Sequence, residues 1–430
     1  MDRVRAMLRS GDWLSRERVR LVAVTLLVAS VAGFLFLVAT AHGDVDRQGR
    51  PLGTDFSNVY AAGTYVLEGN PDAPFDPPTQ YAREQALFGK STPFYGWHYP
   101  PYFLFIAGVL ARMPYGVALA VWQASTLALY LLMMWGIVFP SPRMAGRGLI
   151  LLLALAYPAV LINIGHGQNG FLTAALLGGA LVLLDRRPIV AGILIGLLVY
   201  KPQFGLMIPL ALIAGGRWRS FASAAATFAA LTLVTTIAFG PHVWHAFQLS
   251  TVYSRTVVLE QGDTGWQKIQ SVFSWARMWG APVALAYALQ SALTLALGVA
   301  IFRLWRSAAA PAVKSAALCI AAILATPYSL DYDMMVLAPA IAFFAVDGVM
   351  RGFHPWERTV LAALWLVPLV TRSVAQATLI PLGVPAMLAS FALLLRRAEL
   401  HRGVPLALAS ASAKMAQHGA SPSHDIAAFE

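Results

Sequence analysis

Apolar residues fall in long runs along nearly the whole chain, at 21–40, 103–111, 115–139, 148–164, 171–184, 189–200, 203–215, 221–239, 281–302, 311–326, 334–350, 359–371 and 379–395. Such runs lack the period-two alternation of a membrane barrel strand. In lipid, only helices and closed barrels satisfy every backbone polar group. The pattern therefore predicts an all-α polytopic integral membrane protein, a bundle of about 10–13 transmembrane helices. Two places depart from a simple series of spans. The run 103–111 is short and ends in Arg112-Met113-Pro114, which suggests a re-entrant or half-depth helix. The runs 189–200 and 203–215 flank Lys201-Pro202. At 1.5 Å per residue each reaches roughly 20 Å, against a hydrocarbon core of about 30 Å. They read either as a hairpin of short helices whose tip lines a polar cavity, or as one kinked helix with a snorkelling lysine.

The polar segments carry the topology. Six arginines, at positions 3, 5, 9, 16, 18 and 20, precede the first run, so the positive-inside rule puts residues 1–20 in the cytoplasm. Ala39-Thr40-Ala41 resembles a signal-peptidase site, but the apolar core before it is longer than a signal-peptide core, and an uncleaved anchor is expected. Arg143/Arg147, Arg186/Arg187, Arg217/Arg219, Arg303/Arg306, Arg351/Arg358 and Arg396/Arg397 mark cytoplasmic turns. Residues 42–98, 165–170, 241–270 and 327–333 then fall on the outer side. The first of these loops has seven acids and four bases, a net charge of −3. It also holds Phe56, Tyr60, Tyr65, Phe75 and Trp97, enough aromatic surface to fold against the membrane, with Tyr81 to Leu87 as a short interfacial helix. Residues 21–395 form one transmembrane domain. The polar, small-residue tail 396–430 is expected to be cytoplasmic and disordered.

Composition supports the membrane assignment and removes other classes. The chain is 58% hydrophobic and 12% charged, against about 25% charged in soluble domains. Its net charge of +11 lies in short inter-helix segments, the pattern of membrane anchors rather than of a nucleic-acid surface. Membrane lipids are therefore expected partners, and nucleic acid is not. Cys319, the sole cysteine, lies inside an apolar run, which leaves no disulfide framework or cysteine metal site.

Four groups of residues are candidates for chemistry. Gly165-His166-Gly167-Gln168-Asn169-Gly170 matches G-x-G-x-x-G in letters, but it joins two apolar helices instead of following a strand, so it is no dinucleotide fingerprint. His166, Gln168 and Asn169 remain able to hydrogen-bond a ligand. Asp55, in GTDFSNVYAAGTY, stands near a helix start and is either a positioned base or a helix cap. His98-Tyr99-Pro100-Pro101-Tyr102 forms either an interfacial aromatic belt or a platform for a sugar ring. Lys201, Arg255 and Lys268 have no evident structural partner and suit an anionic phosphate at headgroup level.

The order of these motifs resembles bacterial glycosyltransferase family 87, membrane mannosyltransferases of the GT-C fold that use polyprenyl-phosphate sugars. The resemblance rests on Asp55-Phe56, Tyr60-Ala61-Ala62-Gly63, Leu67-Glu68-Gly69-Asn70-Pro71 and Tyr99-Pro100-Pro101. It continues through Trp122, Gly167-Gln168-Asn169, Lys201-Pro202 and Arg217-Trp218-Arg219, over roughly residues 20 to 395. Ile269-Gln270-Ser271 and Ser329-Leu330-Asp331-Tyr332 depart from the Asn-Gln-Ser and Ser-Trp-x-His triplet and quartet expected there. The resemblance implies a GT-C-like bundle in which 42–98 is the extracytoplasmic catalytic loop. It implies inverting transfer of a hexose, mannose first, from a polyprenyl-phosphate-sugar donor to a lipid or glycan acceptor on the outer face of the cytoplasmic membrane. Asp55 would be the general base, and Lys201, Arg255 and Lys268 would hold the donor phosphate. His98, Tyr99, His166, Gln168, Asn169, Gln270 and Tyr332 would contact substrate. Some GT-C enzymes use a divalent metal, but no strong carboxylate cluster stands out, so no cofactor is expected. A secondary transporter and a surface-polysaccharide polymerase or ligase are the alternatives. The halves show no repeat symmetry, which weighs against the first, and the long loop comes early, which weighs against the second.

Overall fold

The computed structural model describes residues 2–140 and 147–400. Among them the chain is helical, with isolated β-bridges and no strand. The first part contains α1 (Asp2–Ser10), α2 (Arg16–Ala39), α3 (Phe56–Leu67), α4 (Pro77–Phe88), α5 (Leu104–Leu110) and α6 (Tyr115–Val138). The middle contains α7 (Arg147–Leu155), α8 (Pro158–His166), α9 (Gly170–Leu183), α10 (Pro188–Leu197), α11 (Ile208–Ala214), α12 (Trp218–Phe239) and α13 (His242–Tyr253). The last part contains α14 (Val272–Met278), α15 (Val283–Arg306), α16 (Pro311–Leu324), α17 (Leu337–Arg351), α18 (Glu357–Thr378) and α19 (Gly383–Leu400). Prolines at the first turn of α8, α10 and α16 set these starts, because a missing N–H costs nothing there.

The apolar runs do become helices, but six of them are long and apolar enough to cross a bilayer, or seven if the pair 148–155 and 158–166, bent by 45°, counts as one. Five shorter apolar helices account for the rest of the expected 10–13. The run 103–111 forms a 3-10 turn and α5, together about 15 Å long, and packs against α3. Around Lys201 the helix is interrupted: α10 gives way to 3-10 turns at 198–200 and 202–205 before α11 begins. α10 packs along α9 and α12, whereas α11 packs chiefly along α15, so the two are not the halves of a packed hairpin. Gly192 and Gly196 let α10 lie directly on the α12 backbone, since a Cβ on Gly192 would strike the Ser220 carbonyl. This is the close small-residue packing that holds helices together in lipid.

The core sits around α16. Every residue from Ser315 to Thr326 is buried, enclosed by α15, α17 and α19 with α9 beyond. The carbonyls at the end of α16 have no helical partners. α15 supplies them: Gln290 Nε2 donates to Leu324 O at 2.9 Å, and Thr294 Oγ1 to Ala325 O at 2.8 Å. The following segment, 326–336, runs across the end of the bundle into α17.

At the far end of α17, some 20 Å away at 1.5 Å per residue, three helices are tied by one cation. Arg397 was expected as a turn anchor, yet it is wholly buried. Its Nε donates to Asp347 Oδ2 of α17 at 2.5 Å, Nη1 to Glu357 Oε2 of α18 at 2.7 Å, and Nη2 to the carbonyls of Asp347 and Gly352. The guanidinium finds carboxylates there that water would otherwise replace. α1 docks at the same end: Trp356 N–H donates to Arg9 O, and Thr359 Oγ1 to Leu8 O. The N-terminal arginines and the 351–358 turn thus share one side of the bundle, as their charge predicts. Residues 396–400 continue α19, and the rest of the tail lies outside the described residues, as does Arg143.

Arg397→Met leaves the buried Glu357 without its cation and Asp347 with Arg351 alone, and breaking a buried pair in this way costs about 3–5 kcal/mol. Thermal unfolding in detergent should show a clearly lowered midpoint, and a wild-type midpoint would contradict the clamp.

Candidate active site

At the opposite end of α17, six irregular segments converge on a cavity of about 170 Å³. They are the turn before α3, residues 94–99, the α8–α9 turn, residues 200–203, residues 253–264 and residues 328–333. Five of these belong to segments that the charge pattern puts on one side of the membrane.

Asp55 stands at the cap position of α3, but its side chain makes no capping bond. Instead Oδ2 accepts Gln168 Nε2 at 2.7 Å, and Oδ1 lies 3.8 Å from His166 Nδ1. The capping role, open on sequence alone, is not the one this geometry gives. The α8–α9 turn reaches Asp55 because Gly167 is left-handed, at φ +61°, and a Cβ there would fall 2.6 Å from Phe56 Cβ. The G-x-G-x-x-G letters therefore record a tight approach to the Asp55 turn. Trp122 Nε1 holds the turn through Gly167 O, and Asn163 bridges Gly170 N–H and Tyr332 O.

Tyr99 O–H donates to Gln168 Oε1 at 3.2 Å, so Tyr99, Gln168 and Asp55 form one chain. Six tyrosines line the cavity: Tyr95, Tyr99, Tyr200, Tyr253, Tyr328 and Tyr332. His98 also lines it, with Nδ1 2.9 Å from Ser254 Oγ. Burial pushes the His98 imidazole down to about 4, the nearby Asp55 charge opposing only in part, so it is neutral near pH 7. His166 is fixed by Thr54 Oγ1 at 2.7 Å. Asn169 is buried behind the turn, its Oδ1 without a partner, and is not on the cavity wall. Gln270 is buried too, accepting Thr371 Oγ1 at 2.7 Å, and holds the 270 segment to α18 instead of facing the cavity.

The three expected phosphate cations differ. Lys201 lines the cavity but is not unpartnered: its Nζ lies 2.5 Å from Asp333 Oδ1, both buried, with the Tyr332 ring centroid 5.1 Å away. Broken helices brought a carboxylate 132 positions along the chain beside it, which spacing does not reveal. Arg255 is exposed, 3.7 Å from Glu260, and off the cavity wall. Lys268 is half-buried, is not on the cavity wall either and, among the described residues, has no ion pair within 4 Å. Burial lowers its ammonium below the usual range and Arg372 adds to this, while Asp55, Asp331 and Asp263 act the other way. Among the described residues no three His, Cys, Asp or Glu side chains are arranged to hold a metal ion.

Tyr95, Tyr200, Tyr253, Tyr328 and Asp333 were not among the expected site residues, and neither were two others that bear on Asp55. Asn58 lies one helical turn after Asp55 on the cavity wall, its buried Oδ1 unpartnered; the i, i+3 spacing from Asp55 was the available signal. Glu84, wholly buried on α4, accepts the N–H groups of Tyr95 and Gly96. Gln80, Glu84 and Phe88 share one buried face at four-residue spacing, which a helix beginning at Pro77 would have indicated. Burial pushes the Glu84 carboxyl up to about 7, against the lowering effect of those N–H bonds.

The model of glycosyltransferase family 87 matches residues 97–327, more than half of the chain. His98, Tyr99, the α8–α9 turn, Lys201 and Lys268 lie inside that match, while Asp55 and Tyr332 lie outside it. No curated protein and no solved structure matches the chain.

Lys201→Met strands Asp333 as a buried unpaired carboxylate, at a cost of about 3–5 kcal/mol. Its unfolding midpoint should drop and recover in Lys201→Met/Asp333→Asn; a single variant as stable as wild type would remove the ion pair from the account. A second expectation concerns pH. A carboxyl raised from 4.5 to about 7 contributes stability that is full below pH 4.5 and lost as pH rises through about 7. The midpoint of Glu84→Gln relative to wild type should therefore rise between those values and level off above them. A difference independent of pH would contradict it.

Proposed function

Because the chain belongs to glycosyltransferase family 87, we propose that it moves a hexose, mannose first, from a polyprenyl-phosphate donor to a lipid or glycan acceptor at the outer face of the cytoplasmic membrane. The observation that carries this reading is Asp55: a carboxylate on the wall of a tyrosine-lined cavity, free of any capping bond and aimed by Gln168. Tyrosine rings present apolar faces to the C–H groups of a pyranose and hydroxyls to its polar edge.

In the proposed step the acceptor hydroxyl gives its proton to Asp55 as its oxygen attacks the anomeric carbon. The new C–O bond forms while the bond from that carbon to the phosphate oxygen breaks, with inversion. The electron pair leaves on the polyprenyl phosphate. Lys268 is the better candidate to meet that charge, because its ammonium has no carboxylate partner whereas Lys201 is neutralised by Asp333. His98, neutral and fixed on Ser254, serves as a hydrogen-bonding group rather than as a cation. The proton on Asp55 passes to solvent, since the side chain is partly exposed.

Asp55→Asn should fold and insert normally yet lose transfer by at least about a hundredfold, the lower range for removal of a general base. The assay follows radiolabel from polyprenyl-phosphate mannose into total lipid and glycan extracts. Wild-type turnover in the variant would overturn the assignment. Mass spectrometry of extracts with and without the gene identifies the sugar, and loss of a sugar other than mannose would correct the donor.

A further inference from the structure

Residues 93–99 form a wall of the cavity without regular secondary structure. Among the described residues, no backbone–backbone hydrogen bond involves any of them. Buried peptide groups in such a stretch need other partners. Glu84 supplies them: Oε2 accepts Tyr95 N–H at 3.0 Å, and Oε1 accepts Gly96 N–H at 3.2 Å. Gly96 is left-handed at φ +68°, where a Cβ would lie 2.9 Å from the Phe94 ring and 3.0 Å from the His98 ring. The wall therefore folds back on itself at the point the carboxyl grips.

The same carboxyl is tied to the helix that carries Asp55. Gln80 Nε2 lies 3.4 Å from Glu84 Oε1 and donates to Asn58 O of α3 at 3.0 Å. One short path thus runs from α3 through Gln80 and Glu84 to the backbone of Tyr95 and Gly96. Each contact to the carboxyl is an N–H donor, and none asks it to donate. The titratable groups near it are Tyr95, on the wall, and Asp55, across the path.

We infer that Glu84 is a positioning residue: it sets the separation between the Asp55 helix and the aromatic wall that faces the sugar. The inference rests on the glycosyl-transfer reading of the cavity. Glu84 touches no substrate. It acts by holding Tyr95 and His98 at a fixed distance from Asp55, and small misplacements of reacting groups cost up to about a hundredfold in rate.

Hydrogen–deuterium exchange and transfer kinetics on the full-length protein in detergent, read together, test it. In Glu84→Ala and Glu84→Gln, exchange in peptides covering 93–99 should rise about tenfold or more, while peptides around Asp347 and Arg397 stay protected. Glu84→Asp, which keeps the acceptor, should be partly restored. In the same variants kcat for transfer from polyprenyl-phosphate mannose should fall by about tenfold to a hundredfold. Unchanged exchange at 93–99 would overturn the inference, as would increased exchange across the whole chain, which marks a general stability residue. Raised local exchange with unchanged kcat would overturn the positioning role and leave Asp55 as base untouched. If the wild type itself transfers no sugar, the glycosyl-transfer reading falls, and the exchange arm still decides whether Glu84 holds the wall.

Discussion

Lipid offers no hydrogen bonds to an unwound backbone, and the architecture follows from that constraint. At several places among the described residues where the chain leaves the helix within the bundle, another part of the protein supplies the missing partners. Gln290 and Thr294 take up the end of α16, Asn163 bridges Gly170 and Tyr332, and Glu84 takes up Tyr95 and Gly96. These repairs cluster at one end of the molecule, and that is where the cavity lies. Irregular backbone and the cavity share a location because only enclosed, polar surroundings tolerate the former and only irregular backbone can aim so many side chains at one point.

Charge follows a related logic. Most deeply buried cations and anions here are matched: Lys201 with Asp333 near the cavity, and Arg397 with Asp347 and Glu357 at the other end. Once those pairs are set aside, the groups left to act around the cavity are few. Asp55 is held by a neutral amide, and Lys268 lies half-buried without a carboxylate at contact distance. A partly exposed carboxylate on the wall of an aromatic chamber, and an ammonium without a carboxylate at contact distance, are the parts that the proposed attack by a hydroxyl and departure of a phosphate require.

Much of this was legible in the residues. Apolar run length gave the all-helical membrane class, the arginine pattern correctly grouped the N-terminus with the 351–358 turn, and Asp55 stood out as an acid at a helix start. What escaped was set by long-range packing. Run length alone did not separate the six or seven helices long enough to cross a bilayer from the shorter apolar helices α5, α9, α10, α11 and α16. Lys201 looked solitary because its partner is remote in sequence, and Gln270 was expected to contact substrate because nothing local announces Thr371. Glu84 was counted only as loop charge, since a carboxylate in a hydrophilic stretch gives no sign that two backbone N–H groups will enclose it.

In the proposed reaction a donor sugar sits between Asp55 and the tyrosine wall, with its phosphate toward Lys268. A cryo-EM structure of the protein with a non-transferable polyprenyl-phosphate sugar analogue tests this most directly. The expected density has the anomeric carbon facing the Asp55 carboxylate, the phosphate nearer Lys268 than Lys201, and the Lys201–Asp333 pair intact. Phosphate bound to Lys201 with that pair broken, or a sugar seated away from Asp55, would contradict it.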